Sequence, residues 1–425
     1  MREMKDSGIS WVGEIPLQWN VYRNKDGFIN TKTIVGKNSK DTPLLSLTTK
    51  GIKLKDIDNP EGKQPESFDT YQCVEINDLV MCLFDLDISA VFSGLSSYNG
   101  MISPAYKVLK CNERLIAKYA DYWFRYIFDG RKFNQYAKNI RYTLTYDVFS
   151  ALPMLYPSVG EQQDIANYLD SKCTQIDTII AKEQSVIEKL QEYKQAVITE
   201  AVTKGLDPNV DMIESDISWI KTIPVTWKVS KLKYVAEFSP KCDFTDIEPD
   251  TEVTYTPMEY IKKGNYISNS EAIGKLSASL TKYEEGDIVI AKVTPCFENG
   301  NIAIMNNLKS GKGLGSSELF VFRVPEAIRK FVFYWMQNKL FIEQCVATMT
   351  GTGGLKRVSS YYISNSEILL PPSEMIDDIC NYLDEKCELI EQTIRQKELV
   401  INQLTEYKKS LIYEVVTGKK EVPHD

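Results

Sequence analysis

The sequence repeats itself with a period above 200 residues. Residues 9–21 return 208 positions later as residues 217–229, and both copies carry Ile-Ser-Trp, Ile-Pro and a second Trp at the same spacing. A second match, offset by 214, aligns residues 155–203 with residues 369–417 and has 22 identities in 49 positions. This period is far longer than that of a solenoid repeat, so each copy is expected to be a domain followed by a long element.

The long element is predicted to be a helix in both copies. Residues 161–203 contain neither Pro nor Gly; Pro157 precedes this stretch and Gly205 follows it. Residues 374–417 also contain neither, and Gly418 follows them. Apolar residues recur at heptad spacing along both stretches: Leu169, Cys173, Ile176, Ile180, Ile187, Leu190 and Val197 in the first, and Leu383, Cys387, Ile390, Ile394, Ile401, Leu404 and Leu411 in the second. Each helix would measure about 65 Å, which is too long for one small domain to cover, so we expect the two to form an antiparallel coiled coil.

One antiparallel register follows if the two halves are related by an approximate twofold axis. It pairs two apolar couples and two charged couples: Ile187 with Leu404, Leu190 with Ile401, Glu183 with Lys408, and Lys194 with Lys397. The Glu183 pair is favourable and the lysine pair is not.

The segments outside the long helices have mixed patterns. A turn followed by a strand is predicted in residues 73–82 and again in residues 283–292, and helices are predicted at 113–128 and 325–344. The predicted fold class is therefore α+β, and the chain is predicted to be a pseudo-twofold internal repeat. Its parts are a first domain (1–154), a first long helix with linker (155–210), a second domain (211–368) and a second long helix with tail (369–425).

Several classes of function are excluded by what the sequence lacks. The single histidine, His424, is the penultimate residue, which argues against Ser-His-Asp, Cys-His and HExxH chemistry, and no GxxxxGK[ST] phosphate loop occurs. The nine cysteines form no CxxC pair, which favours reduced structural thiols. The chain has no apolar stretch of about 18 residues and no signal-peptide pattern, so we expect a cytoplasmic protein.

The net charge of −8 does not exclude a nucleic-acid partner. Residues 156–210 carry a charge of −4 and residues 371–425 carry −5, so the acid lies in the two long-helix segments. Each of the two remaining segments is close to neutral and could present a basic face.

Three motifs resemble those of a known family. They are Ser7-Gly-Ile-Ser-Trp-Val-Gly-Glu-Ile-Pro-Leu-Gln-Trp19, then Pro157-Ser-Val-Gly-Glu-Gln-Gln-Asp-Ile-Ala-Asn-Tyr-Leu-Asp170, and Thr203-Lys-Gly-Leu-Asp-Pro208. Together they resemble the specificity (S) subunits of type I restriction-modification systems over nearly the whole chain.

The resemblance implies two similar target-recognition domains, each reading one half of a split DNA site, separated by the two long helices as a spacer. It implies no catalysis, no metal and no cofactor in this chain. The partners would be double-stranded DNA, two adenine methyltransferase subunits and, where a restriction complex forms, two restriction/motor subunits, without a membrane. S-adenosylmethionine, ATP and Mg would bind to those partner subunits.

Two segments have side chains suited to DNA. Arg can bind guanine through two hydrogen bonds, Asn and Gln can bind adenine in the same way, and glycines and hydroxyls suit phosphate. The candidates in the first half are Arg131, Lys132, Asn134, Gln135, Lys138, Asn139, Arg141, Tyr142 and Thr143, and those in the second half are Thr350, Thr352, Gly353, Lys356, Arg357 and Ser359. The alternative for both segments is an ordinary solvated helix, loop or polar turn.

Candidates on the long helices could bind a partner subunit or pack the helices together. They are Tyr168, Leu169, Ile187, Leu190, Tyr382, Leu383, Ile401 and Leu404. Two other functions remain open at this point. A free-standing sequence-specific DNA-binding regulator would not copurify with methyltransferase subunits, and an unrecognised nuclease would cut DNA alone with a metal ion.

Overall fold

The computed structural model describes residues 2–30, 32–56, 65–138, 142–352 and 354–423. Its chain divides into two units: unit 1 comprises residues 1–184 and 398–425, and unit 2 comprises residues 185–397. Both contain helices and strands, so the predicted mixture of the two is confirmed.

The described residues of unit 1 form short strands and, besides the long helices, two helices. The strands are β1 (Met4–Asp6), β2 (Glu14–Pro16), β3 (Asn20–Arg23), β4 (Phe28–Asn30), β5 (Leu45–Thr48), β6 (Gly51–Leu54), β7 (Gln72–Val74), β8 (Leu79–Met81), β9 (Ser93–Leu95), β10 (Gly100–Ile102), β11 (Lys107–Cys111) and β12 (Pro153–Tyr156). The helices are α1 (Ala117–Asp129) and α2 (Tyr146–Ala151). The main sheet has the order β4-β11-β8-β9, and β3 pairs with β12. Trp123 on α1 is fully buried beside Trp11, with ring centroids 5.8 Å apart.

Unit 2 repeats this scheme, and its second four-stranded sheet joins strands whose counterparts in unit 1 pair two by two. Its strands are β13 (Met212–Glu214), β14 (Thr222–Pro224), β15 (Lys228–Lys231), β16 (Glu237–Phe238), β17 (Glu252–Thr256), β18 (Ile261–Lys262), β19 (Asn265–Tyr266), β20 (Ser270–Ala272), β21 (Thr281–Glu284), β22 (Ile288–Ala291), β23 (Ile302–Ile304), β24 (Lys312–Gly315), β25 (Leu319–Arg323) and β26 (Glu367–Leu370). The sheet β16-β25-β22-β23 corresponds to β4-β11-β8-β9. The sheet β20-β17-β24-β21 corresponds to the pairs β5-β6 and β7-β10 of unit 1, where a parallel bridge between Leu44 and Met101 takes the place of the parallel pair β17-β24.

The helices of unit 2 outside the long ones are α4 (Leu232–Val235), α5 (Glu326–Trp335), α6 (Lys339–Ala347) and α7 (Ser360–Asn365). The prediction of a single helix at 325–344 is wrong, because the structure has two helices there, α5 and α6, with a break before Asn338. The Asn338 side chain accepts a hydrogen bond from Phe341 N at 2.9 Å and donates to Trp335 O at 2.6 Å, so it caps a second helix.

The duplicated turn and strand has the same construction in both units. Between β7 and β8 the turn passes through Asn77 at φ 70°, and between β21 and β22 it passes through Gly286 at φ 83°. The Asp78 carboxylate accepts a hydrogen bond from Glu75 N at 2.8 Å. At the equivalent position the Asp287 carboxylate accepts one from Glu284 N at 2.8 Å. Each predicted region is therefore two strands joined by a tight turn.

The two long helices are confirmed as α3 (Val159–Lys204) and α8 (Ser373–Val416). In unit 1 the start of α3 and the end of α8 share one apolar core, in which Leu169 and Leu411 are buried. In unit 2 the end of α3 and the start of α8 share another, in which Val197 and Leu383 are buried.

Ion pairs within each unit show that the predicted helix register is wrong. In unit 1 Lys408 Nζ donates to both carboxylate oxygens of Asp177, at 2.7 and 2.6 Å, six residues before the predicted Glu183. In unit 2 Lys194 pairs with Glu391, six residues before the predicted Lys397. The apolar seam repeats every three or four residues and does not select one register, whereas the observed register gives each lysine a carboxylate.

A clamp of three residues joins each long helix to the domain helix beside it. Asp170 accepts hydrogen bonds from Tyr122 Oη at 2.8 Å and Lys118 Nζ at 2.5 Å. In unit 2 Asp384 is the acceptor, from Tyr334 Oη at 2.6 Å and Lys330 Nζ at 2.6 Å. The clamp gives the aspartate of the Asn-Tyr-Leu-Asp motif the same structural role in both copies.

Replacing Asp384 with Asn should lower the free energy of unfolding of unit 2 by about 1–2 kcal/mol. The amide retains one acceptor but places a donor toward either the phenol or the ammonium group, and the partial exposure of the carboxylate keeps the loss small. Chemical denaturation measures the loss. Asp378→Asn, at an exposed position earlier on α8, is the control and should change nothing. An equal loss in both variants would contradict a role for the clamp.

Candidate nucleic-acid interface

Both segments proposed to contact DNA form a hairpin. In unit 1 Lys138 and Thr143 exchange two backbone hydrogen bonds of 3.1 Å. In unit 2 Thr350 N donates to Arg357 O at 3.1 Å, and Arg357 N donates to Thr350 O at 2.8 Å. Each exchange closes a short loop that precedes a helix, α2 in unit 1 and α7 in unit 2.

The two hairpins occupy equivalent places in their units. Leu144 N donates to Leu83 O, just after β8, at 2.7 Å, and Val358 N donates to Lys292 O, just after β22, at 2.9 Å. The next residue then caps the helix that follows. Thr145 Oγ1 accepts from Val148 N, and Ser359 Oγ accepts from Tyr362 N, both at 3.3 Å. Thr143 and Arg357 therefore stand at the same position of one scaffold, although their chemistry differs.

In unit 1 the candidate residues divide between structural and exposed positions. The Arg131 guanidinium lies 4.2 Å from the centroid of the Phe128 ring and donates to the backbone oxygens of Leu86 and Ser89, so it holds the loop that follows β8. Gln135, Lys138 and Tyr142 are exposed, whereas Lys132, Asn134 and Thr143 are half-buried. Asn139 and Arg141, like His424 at the C-terminus, lie outside the described residues.

In unit 2 the candidates lie mostly on an exposed loop. Thr350, Thr352 and Lys356 are exposed, and Gly353 lies outside the described residues. Ser359 is half-buried, and its hydroxyl caps α7. The loop is anchored by Thr294, which sequence reasoning missed: its hydroxyl donates to Gly354 O at 2.8 Å and accepts from Lys356 N at 3.0 Å.

Arg357 makes a two-point ion pair with Glu318. Nε donates to Oε2 at 2.9 Å and Nη2 donates to Oε1 at 2.8 Å. The hydrogen bond from Arg357 lowers the pKa of the Glu318 carboxyl group, so the pair remains charged at neutral pH. Glu318 lies 39 residues away in sequence, in the turn before β25, and no local pattern points to it.

The candidates on the long helices fall into two groups. Leu169 and Leu383 are fully buried in the cores of their own units, which supports helix packing rather than partner binding for these two. Tyr168 and Tyr382 are half-buried against the same cores. The remaining four are also half-buried: Ile187, Leu190, Ile401 and Leu404.

Exposed apolar residues on each long helix were missed by the sequence reasoning. Ile179, Val186 and Tyr193 follow one another at heptad spacing on α3, and Val400 and Tyr407 do so on α8; all five are exposed. Tyr193 and Tyr407 are each 53% exposed. The signal was the heptad spacing itself, on a face other than the packed seam.

Neither a metal centre nor a membrane span is found in the described part of the chain. No group of three or more His, Cys, Asp or Glu side chains there is placed to hold a metal ion. Neither long helix, nor any shorter helix among the described residues, has the length and apolar character needed to cross a bilayer.

Two similar α+β units, each with a hairpin of different sequence on a common scaffold, define a protein class that is represented among solved structures. The fold matches a chain from a structure described as the basis of complex assembly and conformational transition of the type I R-M system. That match has a TM-score of 0.68, is 13% identical in sequence, and covers 96% of this chain and 99% of the other. No family model matches the sequence.

Sequence comparison leads to the same class. The chain is 30% identical over 215 residues to the type I restriction enzyme EcoAI specificity subunit of Escherichia coli, covering 49% of this chain and 36% of that protein. It is 28% identical over 193 residues to the EcoEI specificity subunit of Escherichia coli, covering 44% of this chain and 32% of that protein. The chain thus matches about a third of the length of each relative, and its resemblance to type I specificity subunits is confirmed.

Proposed function

We propose that this chain is the non-catalytic DNA specificity subunit of a type I restriction-modification complex and reads a two-part target with a fixed spacer. The observation that carries the proposal is the pair of equivalent hairpins. One duplicated scaffold presents Lys138, Tyr142 and Thr143 in unit 1, but Thr350, Lys356 and Arg357 in unit 2. A duplicated scaffold with two different surfaces suits a protein that recognises two different sequences.

In this proposal residues 1–154 and 211–368 are target-recognition domains. Residues 155–210 and 369–425 carry the two helices as a paired, antiparallel spacer. Two domains that bind one face of a duplex must lie near whole-turn separations, about 34 Å or a multiple. A stiff helical pair sets such a distance, whereas a flexible linker leaves it undefined.

The proposed partners are double-stranded DNA, two methyltransferase subunits and, in a restriction complex, two restriction/motor subunits. The exposed apolar residues of α3 and of α8 are suited to contact with the helices of a partner subunit. S-adenosylmethionine, ATP and Mg would bind to the partners, and the complex would work in the cytoplasm.

The proposal is tested by expressing the full chain with candidate methyltransferase subunits and sequencing methylated adenines with and without this chain. We expect copurification and methylation at one two-part motif that depends on the chain. Sequence-specific binding without copurification would instead favour a free-standing regulator. DNA cutting by the chain alone with a metal ion would favour a nuclease.

Replacing Lys356 with Ala should weaken binding to all duplexes alike. A lysine beside an exposed Gly- and Thr-rich loop suits phosphate, and the loss of one phosphate contact should reduce the slope of log K against log salt by about 1. Titrations at several salt concentrations, with target and non-target duplexes, measure this slope. Lys275→Ala is the control, at another exposed lysine of unit 2. A loss confined to the target duplex would contradict the phosphate contact.

A further inference from the structure

We infer that Glu318 is a positioning residue that holds the Arg357 guanidinium for end-on reading of a guanine in one half-site. The inference rests on the proposed function and extends it to a named base and a named pair of side chains. Its starting point is the two-point ion pair between Glu318 and Arg357.

The geometry of the ion pair determines which donors remain for DNA. A guanidinium group has five N–H donors in a planar fork. Glu318 takes one from Nε and one from Nη2, at 2.9 and 2.8 Å. The donors left are both hydrogens of Nη1 and the second hydrogen of Nη2, at the far end of the group. Two of these point in parallel, which matches a base edge with two adjacent acceptors.

Guanine is the base that presents this edge, because its O6 and N7 are neighbouring acceptors in the major groove. Adenine has a donor beside its N7, and neither pyrimidine has two adjacent acceptors there. The Arg357 side chain is 50% exposed, so the guanidinium is accessible, while the Glu318 side chain is 29% exposed, so its carboxylate is partly covered. Lys292 Nζ lies 4.0 Å from the same carboxylate and adds a second positive charge beside it.

Backbone hydrogen bonds hold Arg357 and its neighbours in a fixed conformation. The backbone of Arg357 exchanges hydrogen bonds with Thr350, and the adjacent Val358 and Lys356 bond to the strand-end segment at Lys292 and Thr294. With both the backbone and the guanidinium plane fixed, the arginine loses little conformational freedom when it binds a base. Unit 1 has Thr143 at the same position, so the guanine belongs to the half-site read by unit 2.

The experiment selects binding sites for the full chain from a duplex library with a randomised two-part region, in wild-type and variant forms. Binding to the selected site is then measured with guanine and with 7-deazaguanine, which lacks the N7 acceptor. In the wild type, the change to 7-deazaguanine at one position should weaken binding roughly 10- to 100-fold. Arg357→Ala should abolish that difference, and Glu318→Gln should reduce it about tenfold, while the other half-site is unchanged.

The matched control is Glu284→Gln, which removes another glutamate–arginine ion pair of unit 2, that with Arg323 at 2.8 Å, where Glu284 is 30% exposed. It should leave the guanine discrimination intact. A merely structural pair at Glu318 would lower stability and weaken all sequences alike, without changing discrimination at one base. That result, or unchanged guanine discrimination in Glu318→Gln, would overturn this inference but not the proposed function. A wild-type chain that selects no sequence would overturn the proposed function as well.

Discussion

Inserting three heptads into each long helix should lengthen the gap between the two half-sites by about nine base pairs and leave both half-site sequences unchanged. Twenty-one helical residues add about 31 Å, which is close to one turn of B-form DNA. Both recognition surfaces would then still meet the same face of the duplex. The insertion points are between residues 184 and 185 in α3 and between residues 397 and 398 in α8, where the chain passes from one unit to the other.

Methylation-site sequencing of the complex, or binding-site selection with the full chain, measures the new gap. An insertion of eleven residues at the same two points is the control. It keeps the helical phase but adds about half a DNA turn, so the two half-sites would face opposite sides of the duplex and binding should weaken strongly. A gap that stays at its original length in the three-heptad variant would reject the helices as the ruler.

Local signals in the sequence were enough to predict the long helices. Proline and glycine are absent from residues 161–203 and 374–417, and the helices end near Gly205 and Gly418, both at positive φ. A helix boundary depends on a few neighbouring residues, so it can be read without tertiary information. The register could not, because repeated apolar positions fit several alignments equally well.

The hairpins could not be predicted from the sequence, for a different physical reason. Hairpin placement depends on backbone pairing between distant segments, such as Val358 with Lys292, which no residue pattern encodes. The same holds for Glu318, which is recognisable only because β25 brings its turn to the hairpin. Sequence reasoning therefore found the segments with suitable side chains but not what fixes those side chains. Arg131 shows the limit, since its guanidinium holds a loop of its own unit.

Replacing Trp335 with Ala should lower the free energy of unfolding of unit 2 by about 3–5 kcal/mol, the largest stability effect we expect from a single substitution. Its side chain is fully buried at the end of α5, and its ring centroid lies 5.7 Å from that of Trp219. Truncation leaves a cavity in the core that supports α5 and the hairpin of unit 2. Denaturant unfolding and binding-site selection measure the loss of stability and of the unit 2 half-site.

Trp335→Phe separates ring volume from the indole N–H. That N–H is buried without a hydrogen-bond partner among the described residues, so phenylalanine loses volume but no hydrogen bond and should cost far less, about 1 kcal/mol. Tyr234→Ala, at a side chain 72% exposed in the same unit, should stay within about 0.5 kcal/mol of the wild type. If Trp335→Ala were as stable as Tyr234→Ala, the duplicated Trp pair would not be the centre of the core, and the scaffold that carries the hairpin would need another account.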